Sequence, residues 1–165
     1  MKLALCLFVL ALFLYESEAI KDWKQHPMYP CVKCLCHARS GCWIRQNCAK
    51  YSINFNYWKE AGSLVVNLDD PPNNVESYNA CMKDENCIVG TIIQYTQQFG
   101  ELDCNCDGKF DCKDRLAIHL FGASCERPNF GSDYSWRFNH CAASVGVKRM
   151  GSREGDSNCI EPKVV

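Results

Sequence analysis

Cysteine constrains this chain more than any other residue. There are 14 in 165 residues, and five of them, Cys31, Cys34, Cys36, Cys42 and Cys48, fall within the 28 residues that end at Tyr57-Trp58. In an oxidising compartment that density means a disulfide framework stapling a small fold. In a reducing one, Cys31-x-x-Cys34-x-Cys36-His37 reads instead as a metal cluster. The compartment therefore has to be settled first.

Met1 to Ala19 opens with Lys2, continues as an apolar run from Leu3 to Tyr15, and closes on Ser17-Glu18-Ala19, a small-x-small cleavage pattern. The run is well short of the roughly 20 residues a spanning helix needs, so 1–19 is expected to be a secretory signal peptide rather than an anchor. The alternative is a buried N-terminal helix. Secretion makes the mature chain extracellular, and argues against zinc at Cys31–His37. It also removes Cys6, leaving 13 cysteines between Ile20 and Val165. An odd number leaves at least one thiol free or joined to another molecule, so a disulfide-linked dimer is an open outcome.

Losing Lys2, Glu16 and Glu18 with the signal leaves 17 basic and 17 acidic residues. A neutral chain has no broad field to draw it onto nucleic acid or an anionic membrane, so neither is expected as a partner. No later segment reads as membrane-spanning, and no Asn-x-Ser/Thr glycan acceptor occurs.

The rest reads as one domain over 31–145, preceded by a proline-rich lead-in at 20–30 expected to be extended and followed by a flexible Gly-, Ser- and charge-rich tail at 146–165. Asp69-Asp-Pro-Pro-Asn-Asn74 is the clearest internal break. Beyond it, Val75, Tyr78, Cys81 and Met82 recur at helical spacing. Cys87, Ile88, Thr91, Ile92, Tyr95 and Phe99 do so again up to Gly100, predicting two amphipathic helices joined near Asp84 and clipped by Cys81 and Cys87. Asp111, with Asp114 three residues on and Gly122 beyond, predicts a capped helix over Lys113 to Phe121 that buries Leu116, Ile118, Leu120 and Phe121. His119 lies on it, where a histidine is more often packed than catalytic. A last helix is predicted from Ser132 to Ala143, aligning Tyr134, Phe138 and Cys141.

Four segments give these pieces a likeness. They are Cys34-Leu-Cys36-x-x-x-Ser40-Gly41-Cys42; Cys48-x-x-Tyr-x-Ile-x-x-x-Tyr57-Trp58; Tyr78-x-x-Cys81 through Cys87 to Thr91 and Tyr95; and Asp103-Cys-Asn-x-Asp-Gly108 leading to Cys112-x-Asp114 and Ile118-His119. In order and spacing, from about Cys31 to Cys141, the chain resembles the invertebrate-type lysozymes, the destabilase family. The resemblance implies an α+β, helix-rich, disulfide-stapled lysozyme-like fold with a cleft for bacterial peptidoglycan. It also implies β-1,4-N-acetylmuramidase activity, an isopeptidase activity reported for some members, and Tyr57, Trp58 and His119 as substrate-binding residues. Cys31, Cys34, Cys36, Cys42, Cys81, Cys87, Cys104, Cys112, Cys125 and Cys141 supply the disulfides.

The chemistry does not carry over. Cleavage of the glycan needs a proton donor on the leaving oxygen and a second carboxylate as nucleophile or charge stabiliser. The position of the family's acid, just before Ser-Gly-Cys, is Arg39, and a guanidinium does not release its proton at physiological pH. The family's aspartate lies in a segment shortened here to Trp43-Ile-Arg-Gln-Asn47, which has no acid and lacks a cysteine of the family. Glu60, Asp69 and Asp70 are the candidate substitutes. For the isopeptidase reaction the serine lies in the same shortened segment, the lysine position is Asn54, and Ser52 is shifted, so that activity is not expected. An unpaired thiol with His119 or His140 is a formal alternative nucleophile. The missing cysteine is the natural partner of Cys48, while Cys106 and Cys159 are extra to the pattern and either is available to replace it.

Asp103, Asn105, Asp107, Asp111 and Asp114 fall at positions 1, 3, 5, 9 and 12 of a calcium-loop pattern with Gly108 at 6. Calcium is therefore the one candidate cofactor, against the plainer reading of a tight turn capping a helix. Two functions follow: an enzyme that still cleaves peptidoglycan with another acid, or a non-catalytic glycan-binding protein of immunity or digestion.

Overall fold

A computed structural model describes residues 21–40, 53–104, 108–125 and 131–146. The expected signal peptide, Gly41 to Ser52, and most of the expected tail lie outside them. Six α-helices are described: α1 Tyr29–Ser40, α2 Phe55–Glu60, α3 Val75–Cys81, α4 Glu85–Gln97, α5 Cys112–Phe121 and α6 Gly131–Val145, with 3-10 turns at Trp23–Gln25 and Gly122–Ser124. The chain is helix-rich, and no strand occurs among the described residues, so the β part of the expected α+β fold has no counterpart there.

At the centre is α1. Cys31, Val32, Cys34, Leu35, Cys36 and Ala38 are all buried along it, a pattern of burial around most of the helix rather than one stripe. Its start corrects the extended lead-in. Trp23–Gln25 is a 3-10 turn whose first residues are held by the Asp22 carboxylate on the Lys24 N–H, and Tyr29–Pro30 is already helical. Pro30 sits in the first turn, where helix N–H groups have no intrahelical acceptor to lose.

Around α1, the cysteines fix neighbours. Cys31 bonds Cys112 at the start of α5, and Cys34 bonds Cys141 in α6. Cys104–Cys125 closes the segment around α5. Cys81–Cys87 clips α3 to α4, as the spacing predicts. Cys36 is disulfide-bonded as well.

Three helix starts carry side-chain caps, of which the one at Asp111 is expected from the sequence. Asn74 accepts from the Glu76 and Ser77 N–H groups, and Asp84 from Cys87 at 2.7 Å. At α5 the Asp111 and Asp114 side chains form a full capping box, and Gly122 ends the helix at φ 61°, a left-handed value that glycine adopts without steric cost.

Ile88, Val89, Ile92 and Ile93 of α4, Leu116 and Ile118 of α5 and Phe138 of α6 complete the core. Each contributes about 1.5–3 kcal/mol by leaving water. Two residues depart from expectation. Phe121, expected inside, is 44% exposed, because it is the last helical residue and faces outward at the turn into Gly122–Ser124. Val75, in the first turn of α3, is likewise exposed.

Candidate functional site

The short helix α2 carries Tyr57 and Trp58, two of the residues in the family likeness. Asn54 caps it, its side-chain oxygen accepting the Tyr57 N–H at 2.9 Å. This explains an asparagine at the isopeptidase lysine position: the side chain is engaged in starting the helix. Ser52 lies outside the described residues.

From α2, Tyr57 points into the core and meets His119 of α5, with Oη 2.8 Å from Nδ1. The Tyr57 ring stacks on Tyr95 of α4 at 3.6 Å between centroids and stands edge-on to His119. Burial, with Tyr95 adding to it, pushes the Tyr57 phenol well above its usual range, so at neutral pH it is a hydroxyl and not a phenolate. Tyr95 is raised too, first by burial and then by the carboxylate of Glu60.

All three expected glycan contacts are therefore interior. Tyr57 is 7% and His119 5% exposed, and Trp58 is wholly buried. The Trp58 indole Nε1 donates to the Leu64 carbonyl at 2.8 Å, so this buried ring braces the segment after α2. Tyr57 and His119 form a polar pair that shapes whatever surface lies above them.

The candidate acids stand on two segments, Glu60 in α2 and Asp69 and Asp70 in the connection before α3. Glu60 is exposed at the end of α2 and, through its effect on Tyr95, is the one associated with the Tyr57–His119 cluster. Asp70 accepts from the N–H and side-chain amide of Asn67 at 3.0 and 3.2 Å, stapling its own loop. Asp69 is exposed beside it. Arg39 lies in the last turn of α1; Gly41, Cys42 and the shortened segment 43–47 lie outside the described residues.

In the calcium pattern, Asn105 and Asp107 are also outside them. The others have structural roles. Asp103 accepts from the Gly108 N–H. Asp111 accepts from the Lys113 N–H and lies 3.9 Å from its ammonium. Asp114, wholly buried, accepts from Cys104 N–H with one oxygen at 2.8 Å and from Asp111 N–H with the other at 2.7 Å. A position-12 acid directed at two backbone amides suits helix capping better than ion binding, and no group of three or more His, Cys, Asp or Glu able to hold a metal occurs among the described residues. The nine described cysteines are all disulfide-bonded, so His119 and His140 have no thiol partner among the described residues.

A groove of about 660 Å³ opens elsewhere, between α4 and the connection after α2, where Trp23, Ser63, Leu64, Val66, Asp84 and Gln94 line it. Asp84 is its one carboxylate, and neither Tyr57 nor His119 reaches it. Nothing local in the sequence marks this groove, because its walls come from residues as far apart as 21 and 94.

A family model described as Destabilase matches residues 28–141. No curated protein and no solved structure matches the chain.

Proposed function

Because the chain belongs to the Destabilase family, we propose that it is a secreted, lysozyme-like protein directed at bacterial cell-wall peptidoglycan, in which the muramidase chemistry is weak or lost. The observation that carries this reading is Arg39, in the last turn of α1 at the place of the family's acid. A guanidinium holds its proton throughout the physiological range and stabilises the ionised form of any carboxylate beside it, the opposite of what a general acid requires.

The disposition of the remaining acids supports the same conclusion. Glycosidic cleavage by paired carboxylates needs the two about 5–5.5 Å apart for retention or about 6.5–9.5 Å for inversion. Asp70 is engaged by Asn67, Asp84 caps α4, and the Glu60 charge acts on Tyr95. Loss of general acid catalysis alone costs on the order of 10²–10⁴ in rate.

What persists is a rigid frame. Four disulfides between described cysteines, the Tyr57–His119 pair and the α2 cap keep a surface shaped without chemistry, as a glycan recogniser of immunity or digestion requires. Multiple disulfides accord with export, and no helix among the described residues is long and apolar enough to cross a membrane.

The alternative reading is a residual muramidase with Glu60 as proton donor, favoured by its proximity to Tyr95. Retention on insoluble peptidoglycan, measured beside turbidity loss of cell walls, separates the two. Binding without clearing is expected. Clearing abolished by Glu60→Gln overturns the non-catalytic reading, and neither binding nor clearing overturns both.

A further inference from the structure

Arg115 of α5 is half-buried, with no carboxylate within ion-pair distance among the described residues. Its guanidinium lies over the Phe110 ring, 4.6 Å from the centroid, and donates through Nη1 to Thr96 Oγ1 at 3.0 Å. These contacts fix the plane of the fork and leave most of its five N–H donors unused. Burial disfavours the charge, and the Asp114 carboxylate offsets this only in part. Both Asp114 oxygens are already directed at backbone, one to the Cys104 N–H and one to the Asp111 N–H.

The segment before α1 is tied to this part of α5. The Cys31–Cys112 disulfide brings the first turn of α1 against the residue one helical turn before Arg115, with Cα atoms 5.5 Å apart. Just ahead of it, the His26 carbonyl accepts the Tyr29 N–H at 2.8 Å. His26 Nδ1 accepts the Met28 N–H at 3.1 Å, so the neutral ring carries its proton on Nε2, where it meets no acceptor among the described residues. Burial first, then the charges of Lys21 and Arg115, hold the imidazole below its ordinary value, which keeps it a neutral donor. Lys21 is exposed, its ammonium 4.0 Å from the centroid of the Trp23 ring, which lies 5.9 Å from that of His26. The acids of this segment and of the start of α4 are occupied: Asp22 accepts from the Lys24 N–H and the Gln25 amide, and Glu85 from the Tyr29 hydroxyl.

Two cations and an N–H donor thus stand together without an acid to neutralise them. That set complements an anion with several oxygens. A guanidinium laid on an aromatic face presents its edge in the geometry that matches two oxygens of a phosphate, and a lysine adds an adjustable point charge. Donors spread over two segments suit a multiply charged phosphate better than a single carboxylate. The chain carries a formal net charge of only −1, so the attraction is local and not a property of the whole surface.

We propose that Arg115, His26 and Lys21 form a binding site for a phosphate-bearing anion. Arg115 supplies the paired N–H donors, His26 a third through Nε2, and Lys21 closes over the ligand. The site goes beyond the peptidoglycan-directed reading and does not depend on it, since none of the three residues enters that reading. A lipid headgroup and a soluble phosphate offer the same chemistry, and the experiment separates them.

Mature secreted protein is titrated by calorimetry with sodium pyrophosphate at neutral pH, against sodium chloride of matched ionic strength. Saturable binding of pyrophosphate alone is expected. Arg115→Gln is expected to weaken it about tenfold, Arg115→Lys, which keeps the charge and loses the fork, about threefold, and Lys21→Gln about threefold. Lys21 is exposed, so its variant tests the site even if Arg115→Gln fails to fold. Lys83→Gln makes the same charge change at an exposed residue between α3 and α4 and is expected to leave the affinity unchanged. No saturable binding, affinity unchanged in Lys21→Gln, or an equal loss in Lys83→Gln overturns the proposal. Phosphatidylglycerol vesicles then identify the source: retention that pyrophosphate displaces supports the site with a lipid headgroup as its ligand, and pyrophosphate binding without retention supports it with a soluble phosphate. Peptidoglycan retention, measured separately, decides the proposed function whichever way this titration falls.

Discussion

Tyr57 and His119 are 62 residues apart in sequence, yet the Tyr57 hydroxyl lies 2.8 Å from Nδ1 of the imidazole in the interior of the molecule. The pair joins α2 to α5, and the stacking of Tyr57 on Tyr95 adds α4. Three helices thus converge on one phenol. Tyr57→Phe keeps the stacked ring and deletes only the hydroxyl, so it isolates the polar contact. Because a buried imidazole nitrogen loses this partner, the substitution is expected to cost about 1–3 kcal/mol. Urea unfolding should show a lower midpoint with an unchanged slope.

Alkaline pH should weaken the fold. The unfolded chain ionises Tyr57 near pH 10, whereas burial holds the folded phenol well above that. The resulting stability is complete below about pH 10 and is lost as pH rises toward the folded value. Tyr29, raised to about 12 by burial and by its hydrogen bond to Glu85, contributes in the same direction. Ultraviolet phenolate titration of native protein should leave both tyrosines un-ionised at pH 10.5, about half a unit above the usual tyrosine value. Full ionisation there contradicts the buried placement of Tyr57.

Much of the helical frame was legible in advance because its signals are local. Asn74 and Asp84 stand before apolar residues at helical spacing, and Asp111 with Asp114 spells out a capping box. In α1 the signal was present but masked: Cys31, Leu35 and Ala38 repeat at four and three residues, yet cysteines in a dense run read first as staples. The six-residue α2 is too short to show a period. The burial of Trp58 and the walls of the groove depend on contacts distant in sequence, such as Trp58 with Leu64 and Trp23 with Gly90, and no spacing rule reveals those.

The disulfides should differ in worth. Cys34–Cys141 spans 107 residues and joins α1 to α6, whereas Cys81–Cys87 spans six. Chain-entropy scaling makes the longer closure stabilise more by roughly 2–3 kcal/mol. Replacing Cys34 and Cys141 together with alanine should lower the thermal midpoint well below that of the Cys81/Cys87 double variant. Equal losses argue that native-state packing, not loop closure, sets their contribution.

Thiol accounting gives a further test. Eight described cysteines form four mutual pairs, and Cys36 is also bonded. Cys42, Cys48, Cys106 and Cys159, outside the described residues, complete the 13 expected in the mature chain. Alkylation of the native secreted protein without reduction, read by intact mass, should give an odd number of labelled thiols or a reducible dimer. An unlabelled monomer contradicts this count or the cleavage site on which it rests.

We propose that the chain recognises peptidoglycan with its muramidase chemistry weak or lost, because Arg39 stands where a proton donor is required. New reducing ends released from purified peptidoglycan that has retained a known amount of the protein test this most directly. No release above the protein-free control is predicted; release that scales with bound protein and disappears in Glu60→Gln contradicts it.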